Sequence, residues 1–425
     1  YTIPGNPEDG FENEQMRLAA KTWNGEWWTM GGGGTVWDAI AYDPELDLLY
    51  IGVGNGGPHN RDMRSPGGGD NLYLSSVVAL RPQTGEYVWH FQETPADTWD
   101  YTATQQMILT DMVWRGEQRK VLMHAPKNGF FFVLDRVTGE LLSAEPYVPV
   151  TWATHFNMET GRPVEAEGAG YRDKPFVIQP SGLGGHNWHP MSYNPNTELV
   201  YIPTLDFKFP IENETEYNYL KRHWNLGYKI EASPLPILLT MAVNDALMDS
   251  YLLAWDPKKG EAWRVQAPLL GNGGTMTTAG NLVFQGHSAN EFIAFNAQNG
   301  DKLWSYDVQQ AIMAGPVTYS VDGEQYVAVL AGRGGGMSQQ IGVEWPFSTP
   351  IRRVLTFKLG ATKTLPDFEK PVLNKPLPIP DISEAEIARG GDLYMRFCSR
   401  CHGAHGYSDY SLPDIRYLSN AWHEQ

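Results

Sequence analysis

Cysteine is nearly absent from this chain: only two occur in 425 residues, both inside the stretch CSRCHG at 398–403. That arrangement carries no information about structural disulfides. Basic residues are also scarce. With 32 Lys and Arg against 49 Asp and Glu, the net charge is −17, which argues against a nucleic-acid surface. Long apolar runs are missing as well. The longest, PLPILLTMAV at 234–243, is too short to cross a bilayer and carries two prolines, so no membrane span is expected. The first residues, YTIPGNPEDG, have neither a charged region nor an apolar core of a targeting signal. They read as the middle of something, a processed or a truncated chain. Before residue 380 no helical periodicity of any length competes with the strand signals.

Glycine and aromatics are plentiful: 44 Gly, 15 Trp and 21 Tyr. Many glycines with many aromatics suit short strands joined by tight turns. One pattern recurs, an apolar strand, a turn ending in Gly, then Trp or an apolar residue. It appears as VALRPQTGEYVW (78–89), FVLDRVTGELL (132–142), LAWDPKKGEAW (253–263) and IAFNAQNGDKLW (293–304). A second pattern, IAYDPELDLLYIGVGN (40–55) and MSYNPNTELVYIPT (191–204), also reads as hairpins. The last two copies of the first pattern lie about 40 residues apart, the spacing of propeller blades with four strands each. An irregular β-sandwich would not repeat the Gly-to-Trp offset. The expected fold is all-β, a β-propeller over 1–360.

The repeat stops near Leu359. A proline-rich stretch at 361–381 reads as an extended linker. Ser383 and Glu386 then form a capping box opening a helix, on which Ile387, Gly391, Tyr394 and Cys398 share one face. A second, α-helical domain is expected over 382–425. Its CxxCH is a haem c attachment signal, with Cys398 and Cys401 bonding the haem and His402 as the iron's axial ligand. Stray zinc binding is the weaker alternative. No Met follows Met395 to serve as second axial ligand, and the tail is short for a haem domain, so the C-terminus reads as cut. GVGNGG (52–57) fits G-x-G-x-x-G, but PHNRDMRSPGGGD behind it cannot open a helix, and the dinucleotide reading is rejected.

Taken in order, GGGGTVWDAIAYDPELDLLYIGVGN, TPADTWDYTA (94–103), HAPKNGFFFVLDRVTG (124–139), GGHNWHPMSYNP (184–195) and a proline-rich approach to CxxCH resemble the quinohaemoprotein alcohol dehydrogenases. Relatives of methanol dehydrogenase, these have an eight-bladed propeller that binds pyrroloquinoline quinone (PQQ) and calcium, followed by a cytochrome c domain. The resemblance implies that Trp37 stacks on the quinone and Thr35 hydrogen-bonds it. It makes Asn55 a calcium ligand, and Asp100 the catalytic base beside the metal and a ligand to it. Lys127, the second catalytic residue, would contact the quinone oxygens, where methanol dehydrogenases carry Arg. Asn187 and Trp188 would hold the cofactor's polar rim, and GRGGGMSQQ (332–340) would close the same cavity. Calcium would act as Lewis acid while Asp100 takes the proton of a small alcohol. Electrons would pass to haem c and on to an acceptor such as a cytochrome or blue-copper protein, in the periplasm. The family's calcium-binding Glu, an Arg and an adjacent Cys–Cys disulfide would lie before residue 1. The chain is therefore expected to be an internal fragment with an incomplete propeller of five or six blades. Two rival readings are a non-catalytic propeller with an electron-carrier cytochrome, and a PQQ dehydrogenase for sugars or polymeric alcohols. The aromatic insert at 206–230 reads as a flap on the substrate or haem side, or as a plain loop between blades.

Overall fold

The computed structural model describes residues 2–38, 40–219, 225–229, 248–267, 273–332, 351–368 and 382–398, with His402 and Ile415. Among them, four four-stranded antiparallel sheets follow one another along the chain. The first is built from Ile40–Asp43, Leu48–Gly52, Ser76–Leu80 and Tyr87–Gln92, and the second from Ile108–Trp114, Glu117–His124, Phe130–Asp135 and Leu141–Pro146. The third takes Ser192–Asn194, Leu199–Phe207, Met248–Asp256 and Gly260–Gln266, and the fourth Thr275–Thr277, Leu282–Gly286, Glu291–Asn296 and Lys302–Asp307. A three-stranded sheet of Val317–Val321, Glu324–Ala331 and Arg353–Lys358 comes fifth. Each is a meander in which sequence neighbours pair, the blade pattern read from the turns.

The apolar pattern of the third strands explains why the blades stack. FFFVLD (130–135) is buried at every position. Because side chains alternate across a sheet, Phe130, Phe132 and Leu134 pack against Tyr50, Val77 and Trp89 of the first blade. Phe131 and Val133 turn the other way, onto Val200, Leu253 and Trp255 of the third. Val283, Ile293 and Phe295 of the fourth blade meet Tyr201 and Leu252 of the third, and Phe292 meets Val327 and Val329 of the fifth.

The repeated turn forms the joint between blades. Gly139 N donates to Asp135 O and Gly300 N to Asn296 O, at 2.8 and 2.9 Å. Both glycines have positive φ, and each lies against a tryptophan of the preceding blade, Trp89 and Trp263. A tyrosine hydroxyl completes both joints: Tyr50 donates to Arg136 O at 2.8 Å and Tyr201 to Ala297 O at 2.9 Å.

Two features depart from the sequence reading. A seven-residue helix, Glu14–Ala20, precedes the blades, with the Asn13 side chain accepting from Met16 N at 3.0 Å and Met16 and Ala19 facing inward. Seven residues are too few to show a 3.6-residue period. Between the second and third blades a hairpin at 153–165 stands outside the blade pattern, and strand Phe176–Ile178 pairs with Phe209–Ile211, which follows the third blade's second strand. Near the other end, helix Glu384–Phe397 begins at Ser383 with the expected capping box. Among the described residues no helix is long and apolar enough to cross a membrane.

Candidate active site

Strand direction decides where the site lies. In an antiparallel meander, the connection from second to third strand and the connection to the next blade leave the sheet at the same end. The segments 53–75 and 125–129 are of the first kind, and 93–107 and 179–191 lead into the second and third blades. Asn55, Lys127, Asp100, Asn187 and Trp188 thus share one end, and Thr35 and Trp37 enter the first blade there. The Gly-ending turns lie at the opposite end.

The two residues given catalytic roles touch. Lys127 Nζ donates to Asp100 Oδ2 at 2.9 Å and to the Gly182 carbonyl at 2.8 Å. Lys127 is buried, whereas the Asp100 side chain is 26% exposed, so the carboxylate faces the opening and the amine lies beneath it. His59 Nε2 lies 3.7 Å from the other oxygen, Asp100 Oδ1. Burial pulls the His59 imidazole below its ordinary value, against the pull of the Asp100 charge. The His59 ring tilts against Tyr228, 5.7 Å away, in the return limb of the 206–230 insert. Sequence reasoning missed both, since neither carries a motif; the position of His59 just after GVGNGGP was the available signal.

Asp100 is held in a costly conformation. Its φ of 69° lies in the left-handed region, which non-glycine residues enter only when their surroundings force them. Here the surroundings are a buried turn. Asp97 Oδ1 accepts from Trp99 N at 3.1 Å and Tyr101 N at 3.0 Å. Trp99 Nε1 donates to Ala169 O, and Tyr171 OH donates to Thr98 O. Desolvation pushes the Asp97 carboxyl above its ordinary value.

The glycine loop after residue 181 closes over Lys127. Gly185 N donates to Lys127 O at 3.0 Å, and a β-carbon on Gly184 would lie 2.4 Å from Lys127 Cγ. His186 pins the same loop, its ring nitrogens 2.8 and 2.7 Å from the carbonyl oxygens of Ala125 and His189. Asn187 Nδ2 donates to Leu183 O at 2.8 Å, and Trp188 stacks on His189 at 4.1 Å. Across the opening, Gly54 N donates to Thr35 O at 3.1 Å and Gly34 N to Asn55 O at 2.9 Å, which fixes the TVWD segment against GVGN. Asn55 Nδ2 donates to the Gly56 carbonyl at 3.1 Å, and Trp37 leaves 48% of its surface exposed.

The family described as "PQQ: Glucose/ethanol/alcohol dehydrogenase, beta-propeller domain" matches residues 10–154 and 253–327. The chain belongs to this PQQ β-propeller family. It is 47% identical to quinohemoprotein alcohol dehydrogenase ADH IIB of Pseudomonas putida, over 100% of this chain and 61% of that protein. Among solved structures, quinohemoprotein alcohol dehydrogenase ADHIIG of Pseudomonas putida HK5 superposes with a TM-score of 0.89 at 46% identity, covering 100% of this chain and 63% of that one. The quinohemoprotein alcohol dehydrogenase of Comamonas testosteroni gives 0.84 at 39%, with the same coverage. The chain thus spans about 60% of the length of the relatives it matches.

The CxxCH stretch is described in part. Cys398 caps the C-terminal helix, His402 N donates to Cys398 O at 2.9 Å, and Tyr394 OH donates to His402 O at 3.1 Å. Cys401, residues 333–340 and most of the proline-rich stretch lie outside the described residues.

Proposed function

We propose that this PQQ-family propeller carries the site of an alcohol-oxidising quinohaemoprotein, with calcium beside the quinone and a haem c attached near the C-terminus. The observation that carries this reading is the Asp100–Lys127–Gly182 contact at the end of the blades where Asn55, Thr35 and Trp37 also lie. The donor set suits the groups. Asp100 Oδ1 and Asn55 Oδ1 are hard oxygen ligands of the kind calcium takes. An ammonium has three donors, and Lys127 gives two to Asp100 and Gly182, leaving one for a quinone oxygen. The exposed Trp37 indole offers a flat face to a planar ring.

When bound, calcium and PQQ supply a polarised carbonyl and a two-electron acceptor. The chain's residues do the rest. Asp100 accepts the hydroxyl proton of a small alcohol at its carboxylate. Lys127, fixed by Gly182 O, keeps that carboxylate turned to the opening and orients the cofactor's oxygens. Thr35, Asn187 and Trp188 hold the rim. Cys398 and Cys401 would anchor the haem and His402 would ligate its iron, a group that would supply a one-electron outlet toward a small acceptor protein such as a cytochrome or blue-copper protein. Haem c and PQQ both favour a periplasmic setting.

The test is Asp100→Asn in the cofactor-loaded protein. With the general base removed, kcat should fall by about 10²–10⁴-fold while PQQ remains bound, as read from its absorbance. Turnover unchanged by Asp100→Asn would overturn the assignment. A wild-type protein that binds neither PQQ nor calcium would leave only a propeller used for binding.

A further inference from the structure

Arg64 is fully buried. It ends a single helical turn, Arg61–Arg64, in the 53–75 connection that also carries Asn55. A buried guanidinium is costly unless every donor is used, and among the described residues this one makes no ion pair. Instead it bonds neutral acceptors all round. Nε donates to Asn71 Oδ1 at 3.1 Å, Nη1 to the carbonyls of Pro58 and His59 at 2.6 and 2.7 Å, and Nη2 to the carbonyl of Asp97 at 2.6 Å. The Asp97 carboxylate is the nearby opposite charge, and its Oδ2 is buried with no partner among the described residues. Burial lowers Arg64 to about 10, so it stays cationic at neutral pH.

The plane of the guanidinium lies flat on Gly56. A β-carbon there would stand 2.2 Å from Nη1 and 2.3 Å from Cζ, so glycine is needed for the contact. Gly56 follows Asn55 directly and receives that residue's side-chain N–H. One rigid group therefore touches three backbone segments: Gly56, next to Asn55; Pro58 and His59, beside the Asp100 carboxylate; and Asp97, whose turn holds Asp100 at positive φ. Lysine, whose donors all sit on one compact ammonium at the end of a flexible stem, could not span the three.

From these contacts we infer that Arg64 is a positioning residue that fixes the separation of Asn55 and Asp100, and so sets the affinity of their site for calcium. The inference rests on the reading of Asn55 and Asp100 as cation ligands. It predicts that disturbing Arg64 weakens cation loading out of proportion to any loss of fold stability.

The experiment titrates calcium into the full chain with PQQ present, following the spectrum of the bound quinone, for wild type, Arg64→Lys, Gly56→Ala and the double variant. Groups behind metal ligands typically contribute about 10- to 100-fold in affinity. Each single variant should raise the calcium midpoint within that range, with quinone uptake restored by excess calcium. Both changes act on one contact, so the double variant should be no worse than Arg64→Lys alone. Tyr50→Phe, which removes a bond at a blade joint far from the site, serves as control; it should lower Tm and leave the midpoint in place. Should Arg64→Lys fail to fold, Gly56→Ala carries the test, since it adds one methyl group against the guanidinium.

A wild-type midpoint in Arg64→Lys and Gly56→Ala would overturn the inference, as would a shift matching that of Tyr50→Phe for the same loss of Tm. Both outcomes leave the parent reading intact, because the wild type loads normally. A wild type that loads neither calcium nor quinone overturns both.

Discussion

At the scale of single residues, the site depends on contacts too close for any spare atom. Gly184 has φ +84° and lies where a β-carbon would meet Lys127 Cγ. Gly184→Ala should therefore displace the lysine as well as strain the loop, costing about 1–3 kcal/mol and loosening PQQ binding together. Denaturant unfolding and quinone titration would check both, and a variant as stable as wild type would show that the loop simply moves aside. Asp100 and Lys127 were legible because TWDY and PKNG place a carboxylate and an amine in motifs of fixed order. His59, Tyr228 and Arg64 were not. Nothing in PHNRDMRS distinguishes an arginine buried to its last N–H, Arg64, from Arg61, which is paired at the rim with Glu165. Burial of a charge is decided by the carbonyls that converge on it, and those come from residues 58, 59 and 97, remote from one another in pattern though close in space.

Blades were the most legible elements, and for a physical reason. A strand packed on both faces carries an unbroken apolar run, as Phe130 to Leu134 does, and a turn that docks against the preceding blade's tryptophan must end in Gly. FFFVLD and the Gly-to-Trp offset state both requirements in sequence. The joints also rank themselves. Trp89 is buried against Gly139 and Tyr50, whereas Trp263 is only half-buried against Gly300. Trp89→Ala should cost about 3–5 kcal/mol, and Trp263→Ala less. Equal losses in thermal unfolding would contradict a joint that depends on burial. The helix at Glu14–Ala20, the hairpin at 153–165 and the 176–178/209–211 pair escaped because short elements lack a period, and their place is set by what they cover. The capping box at Ser383 was readable since it is a purely local device.

For the molecule as a whole, three buried histidines give a pH signature. Burial lowers His186 to about 4, His189 to about 3 and His287 to about 4, against an ordinary value near 6.5. Each stays neutral in the fold and takes a proton in the unfolded chain, so stability is complete above pH 6.5 and is lost as pH falls toward 4. Per group the slope approaches about 1.4 kcal/mol per pH unit. Tm measured from pH 7 to pH 4 should fall steadily, and His287→Gln should flatten that slope without touching the site. A Tm independent of pH over this range would mean that these imidazoles are solvated.

We propose that the shared end of the blades holds a cation between Asn55 and Asp100, with a quinone against Trp37. An experimental structure of the protein with calcium and PQQ tests it most directly. Calcium is expected with Asn55 Oδ1 and an Asp100 carboxylate oxygen at about 2.3–2.6 Å, Lys127 Nζ in contact with a quinone oxygen, and the quinone plane facing the Trp37 indole. Calcium bound elsewhere, or a quinone seated away from Lys127, would contradict it.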